Sequence, residues 1–121
     1  MTLIAALNSI AAVLTIAFGA FGFLAPRYTL GALDLATTGS TMGLSEMRAS
    51  VGGLFVVMGA YALVTQQKEA FFFIGIAFAG AALGRVVSLA FDSPPVSKVL
   101  VFGGIELVLA LLLIALNRPA A

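Results

Sequence analysis

The chain contains no histidine, no cysteine and no tryptophan, and only 9% of its residues are charged. Each absence removes a class of chemistry. Without His, the commonest general base and the commonest metal ligand are missing. Without Cys, disulfides, thiolate metal sites and redox dithiols are excluded. No Ser–His–Asp or Cys–His nucleophile and no His-rich metal centre exists in this sequence, and neither a metal nor a cofactor is expected. A phosphate-cradling loop is missing as well, because the glycines lie inside apolar runs rather than between a strand and a helix. Without Trp, an aromatic belt at a membrane surface rests on Tyr28, Tyr61 and the 10 Phe residues. A net charge of +1 names no nucleic-acid partner.

What is present is apolar. Of the 121 residues, 62% are hydrophobic, and the mean hydropathy is +1.18. A soluble domain carries about 45–50% apolar and about 25% charged residues, and a chain this short has no core large enough to hide the surplus. The solvent for most of the chain is therefore lipid.

A bilayer core about 30 Å thick takes about 20 apolar residues in a helix. Four runs qualify, at about 3–24, 44–65, 70–91 and 97–116. Pro26 stops the first, and Gln66-Gln67-Lys68-Glu69 closes the second. Asp92-Ser93-Pro94-Pro95 ends the third, and Asn117-Arg118-Pro119 the fourth. The first run has no basic leader and is read as a retained span rather than a signal peptide. None of the runs alternates as membrane β-strands do. The expected fold is all-α: an integral membrane antiparallel four-helix bundle, one domain over residues 1–121. The segment from Arg27 to Gly43 is expected to hold a short interfacial helix and then a loop.

Small residues recur at helix-packing spacing. The third run carries Gly80-x-x-x-Gly84-x-x-x-Ser88, the second Ser45, Ala49, Gly53 and Gly59, and the fourth Gly103, Gly104 and Ala110. Helices in lipid associate through close backbone approach at such residues. Gly53, Gly80, Gly84, Ser88 and Gly103 are therefore expected to pack inside the bundle, with a homodimer seam on the third helix as the alternative.

Four charges stand inside the runs. Glu46 and Arg48 open the second. Arg85 lies six residues before Phe91, about 9 Å deep, and Glu106 nine residues past Ser97, about 13 Å deep, at the helical rise of 1.5 Å per residue. Alternating span direction places all four in one half of the bilayer. A charge at mid-membrane costs roughly 2.5–3.5 kcal/mol and is rarely left facing lipid. Glu46 shares a helix face with Ala49, Ser50 and Gly53, which points it inward; alternatively it caps the second helix. Arg48 either joins the cluster or snorkels to the interface. Arg85 is expected to pair with Glu106, because the five-residue connection from Asp92 to Val96 forces the third and fourth helices together. That pair is either a structural lock on register or part of a polar pocket.

The stretch Ser45-Glu46-Met47-Arg48-Ala49-Ser50-Val51-Gly52-Gly53-Leu54-Phe55, with Gly84-Arg85-Val86-Val87-Ser88 and Glu106-Leu107, resembles a bacterial family of small four-span membrane proteins, domain of unknown function 4345. The resemblance covers nearly the whole chain. It implies a bacterial inner-membrane location; both termini are expected on the cytoplasmic side. More loosely, the layout is similar to the DoxX-like membrane proteins, some of which are linked to quinone-coupled electron transfer; that likeness is architectural and transfers no activity to any residue.

The functional expectation is a non-enzymatic membrane protein in contact with membrane lipid, either an accessory subunit of a larger membrane complex or a homo-oligomer. The alternative is a lipid, quinone or small-solute binding or transport protein that uses Glu46, Arg48, Arg85 and Glu106.

Overall fold

In the computed structural model, which describes residues 1–120, every regular element is helical and no strand occurs among the described residues. The chain divides into two compact units, Met1–Gln66 and Gln67–Ala121. Each is an antiparallel helical hairpin and is described by itself.

In the first unit, helix α1 spans Leu3–Leu24, and the Thr2 side chain caps it by accepting the Ala5 N–H at 3.1 Å. Pro26 has no N–H to return to α1, so the long helix stops. Pro26 instead occupies the first turn of a short helix α2, Pro26–Ala32. Helix α2 closes in a Schellman motif. Asp34 takes a left-handed φ of 57°, Leu35 N donates to the Leu30 carbonyl at 2.8 Å, and Asp34 N to Gly31 at 3.2 Å. The single hydroxyl proton of Thr29 lies between two carbonyls, Phe21 at 2.7 Å and Ala25 at 2.9 Å, and ties α2 to the end of α1. Thr29→Val should cost about 1 kcal/mol in a detergent-unfolding series, the usual net value of a hydrogen bond.

The second long helix of this unit is continuous over Met42–Thr65, two residues longer at its start than the sequence suggests. It consists of α3, Met42–Glu46, a π-helical segment, Met47–Gly53, and α4, Leu54–Thr65. The π character is carried by bonds such as Leu54 N to the Ala49 carbonyl, five residues back rather than four. Gln66 ends α4 at φ 54° in the left-handed region.

The seam between α1 and this helix is built from small residues. On α1 the buried positions are Asn8, Ala11, Ala12, Thr15, Gly19 and Gly22, a spacing of four and three that keeps one stripe facing the partner. They meet Met47, Gly52, Gly59 and Ala62, the buried positions opposite. A Cβ on Gly52 would lie 2.6 Å from Phe23 N, and one on Gly19 would lie 2.7 Å from Val56 N. The two backbones touch at this crossing.

The second unit is simpler. Helix α5 spans Lys68–Phe91 and helix α6 spans Val96–Leu116, each starting one or two residues before its expected limit. Asp92-Ser93-Pro94-Pro95 makes the turn. Phe71, Ile74, Phe78 and Ala82 on α5 pack with Val99, Leu109, Ala110 and Leu113 on α6. Gly75 admits Leu113 and Ile114, to which a Cβ would come within 3.0 Å. Asn117, which the sequence suggests as a surface stop, is buried and donates to the Leu113 carbonyl at 2.8 Å.

One packing expectation is corrected here. Gly80 and Gly84 do not lie on the α5–α6 seam: both are exposed, and a Cβ on either would meet no atom within 4 Å. They stand two residues beyond Phe78 and Ala82, about 200° around the helix at 3.6 residues per turn. Ser88 is only half-buried, whereas Gly53 lies against the Phe23 ring, 3.6 Å from a Cβ position.

Candidate functional site

The deepest charges of the second unit meet on its seam. On α5 the seam positions run Phe71, Gly75, Phe78, Ala82 and then Arg85, so the apolar stripe that packs α5 on α6 ends in a cation. On α6, Glu106 occupies the corresponding place between Gly103 and Ala110. Arg85 Nη2 lies 2.8 Å from Glu106 Oε1, and Arg85 Nε lies 3.3 Å from both carboxylate oxygens. The Arg85 side chain is 35% exposed and Glu106 14%.

Two further residues of α6 shape this pair. The guanidinium carbon stands 5.6 Å over the Phe102 ring, a cation–π contact. Gly103 supplies the space for the aliphatic stem: a Cβ there would lie 3.3 Å from Arg85 Cγ and 3.4 Å from its Cβ. The arrangement gives each charge a counter-charge, two or more directed hydrogen bonds and an apolar seat. Such a forked pair fixes the sliding register of two antiparallel helices, as a polar residue at a core position does in coiled coils. Both carboxylate oxygens of Glu106 accept from Arg85.

The charges of the first unit behave differently. Glu46 and Arg48 both lie on the exposed side of their helix. The Glu46 carboxylate accepts the hydroxyl of Ser50, one turn on. The inward face expected for Glu46 with Ala49 and Ser50 is thus a surface face in this hairpin. Nor does Glu46 cap the helix: the start falls at Met42, whose N–H is taken by Ser40 Oγ at 3.2 Å. Arg48 reaches back across the crossing, and its Nη1 donates to the Phe23 carbonyl at 2.6 Å. This places a cation on the last turn of α1, where orphan carbonyls and the negative end of the helix dipole collect. No ion pair joins Glu46 to Arg48 among the described residues. A shallow depression of about 580 Å³ opens beside Arg48, lined also by Thr41, Leu44, Ser45 and Ala49.

Helical spacing sets Ser50 beside Glu46 and Phe102 beside Glu106, but it does not show that Ser50 donates to that carboxylate or that Phe102 seats Arg85; Phe23 was not singled out. The Phe23 carbonyl carries no side-chain signal. No group of His, Cys, Asp and Glu residues capable of holding a metal ion occurs among the described residues.

All four long helices are apolar enough to cross a bilayer, with mean hydropathies of 2.1, 1.6, 2.0 and 2.8, yet only 22% to 28% of each apolar stretch is buried. Outward faces this apolar define a polytopic helical membrane protein. The family model described as a domain of unknown function, DUF4345, matches residues 4–117, and the chain belongs to that family. No curated protein and no solved structure matches it.

Proposed function

We propose that this protein is a non-enzymatic component of a membrane assembly, acting either as an accessory subunit of a larger complex or as a homo-oligomer, in a bacterial inner membrane with both termini cytoplasmic. One observation carries the assembly reading. Gly80 and Gly84 form a flat, exposed strip on α5, one turn apart, that nothing within its own hairpin fills. In lipid, a strip of this kind admits a neighbouring helix to backbone contact, and that contact is a main source of helix association there. The non-enzymatic reading draws on the residue inventory and on the in-span charges. Arg85 and Glu106 are satisfied by each other, so neither is held ready for substrate.

The test is native mass measurement after mild detergent extraction, on the wild type and on a Gly80→Leu/Gly84→Leu variant. The wild type should run as a complex. The variant should lose about ten-fold or more in association, as overpacking of a close contact does, with the α5–α6 hairpin itself unchanged. A wild-type chain that runs only as a lone monomer contradicts the proposal.

A second reading, binding of a lipid, quinone or small solute, has one observation in its favour, the depression beside Arg48 on the first hairpin. It requires that Arg48→Ala release a ligand that co-purifies with the wild type.

A further inference from the structure

We infer that the depression beside Arg48 is a binding site for the phosphate headgroup of an anionic phospholipid, with the Arg48 guanidinium as the principal ligand. The inference is independent of the assembly reading and concerns the first hairpin alone.

Arg48 has donors to spare. A guanidinium carries five N–H donors in a rigid fork, and Arg48 spends one nitrogen on the Phe23 carbonyl. That bond holds the side chain in place at the end of α1. Its other nitrogens make no hydrogen bond within the protein among the described residues. Glu46 forms no ion pair with it; its carboxylate accepts the Ser50 hydroxyl instead. The result is a positioned cation with an open face.

The depression supplies the remaining groups. Thr41 and Ser45 bring hydroxyls, and Leu44 and Ala49 bring apolar surface; with Arg48 they line the shallow, open depression. A planar fork beside hydroxyl donors matches the oxygens of a phosphate diester. A neutral quinone offers no charge for the guanidinium, and a cation is repelled by it.

The surroundings select a lipid over a soluble anion. This end of the hairpin joins two helices of membrane-spanning length, the level at which headgroups lie. Phe23, Leu24 and Met42 are exposed there at 46%, 73% and 63%. Acyl chains can lie along these side chains while the phosphate meets Arg48. Attraction of juxtamembrane cations to anionic headgroups adds to the fit.

The experiment uses the full chain in vesicles of equal parts phosphatidylglycerol and phosphatidylcholine, followed by gentle extraction and native mass spectrometry of the lipid that stays bound. The wild type should retain phosphatidylglycerol selectively. Arg48→Gln should weaken that retention about ten-fold or more, the cost of losing charge-assisted hydrogen bonds. Ala49→Leu fills the depression while leaving the Arg48 bond to Phe23 in place, and should weaken retention comparably; it carries the test if Arg48→Gln does not fold. Arg27→Gln removes an exposed cation outside the depression and should stay within about two-fold of the wild type. Equal retention of the two lipids overturns the inference, as does wild-type selectivity in folded Arg48→Gln or Ala49→Leu. Displacement of the lipid by an equal concentration of inorganic phosphate overturns the lipid assignment and leaves a site for a free anion.

Discussion

Glu106→Gln should destabilise the α5–α6 hairpin by about 3 kcal/mol, the lower end of the range of about 3–5 kcal/mol for breaking a buried ion pair. The variant keeps the size of the side chain and removes only its charge. Arg85 is then left with a neutral amide and the face of Phe102, a contact worth about 0.5–2 kcal/mol. The lower end applies because the Arg85 side chain is 35% exposed and can turn its guanidinium toward the membrane surface, which lies about 9 Å along the helix by its rise. The measurement is the unfolding free energy in mixed micelles of lipid and denaturing detergent, followed by helix content. Replacing both partners together, Arg85→Met with Glu106→Leu, should be close to neutral or stabilising, because the desolvation of two charges disappears with their attraction. A pair kept for register would then show its value as a broader population of hairpin alignments.

Gly52→Ala should cost about 3 kcal/mol, at the upper end of typical overpacking. The new methyl would stand 2.6 Å from Phe23 N and 2.8 Å from Phe23 Cα. Both are backbone atoms of α1, so no side chain can swing aside, and the two helices must separate at their crossing. The same separation strains the bond from Arg48 to the Phe23 carbonyl. Gly104→Ala, on the exposed side of α6, is the control. With nothing within 4 Å of the added methyl, the change should be neutral or stabilising by about 0.5–1 kcal/mol, the helix preference of Ala over Gly. Equal effects from the two substitutions would remove the backbone crossing from the description of this hairpin.

The contrast between Gly52 and Gly80 shows what the sequence conveys and what it does not. Hydropathy and length mark the four long helices to within a few residues, because the demands of a bilayer on a helix are one-dimensional. The pairing of Arg85 with Glu106 was legible for a similar reason: the turn at Asp92-Ser93-Pro94-Pro95 is so short that α5 and α6 must be neighbours, and depth along each helix then sets the register.

Which face of an apolar helix is buried is a different matter. In water the polar side announces itself, but in lipid both faces are apolar. The stripe of Asn8, Ala12, Thr15, Gly19 and Gly22 on α1 carries its signal only in the four-and-three spacing of small residues, and the same kind of signal on Gly80 and Gly84 misleads within the hairpin. Spacing reports that a close approach is allowed, not with which partner. The π-helical segment at Met47–Gly53 has no local signature either. It inserts one residue into the turn where Gly52 presses on Phe23 of α1, a neighbour 29 positions away in the chain. Glu46, Ala49 and Ser50 do share one helix face, as their spacing gives; the spacing carries no sign that this face is the exposed one, and an arginine that binds a backbone carbonyl leaves no partner to find in the sequence.

The claim on which this description rests most heavily is that Arg85 and Glu106 hold α5 and α6 together by contact with each other. The direct measurement is a double-mutant cycle in lipid micelles, built from Arg85→Gln, Glu106→Gln and the double variant. Contact requires a coupling of about 1–3 kcal/mol, so that the double variant is more stable than the sum of the single losses. Additivity within about 0.5 kcal/mol would mean that the two charges do not meet in the membrane.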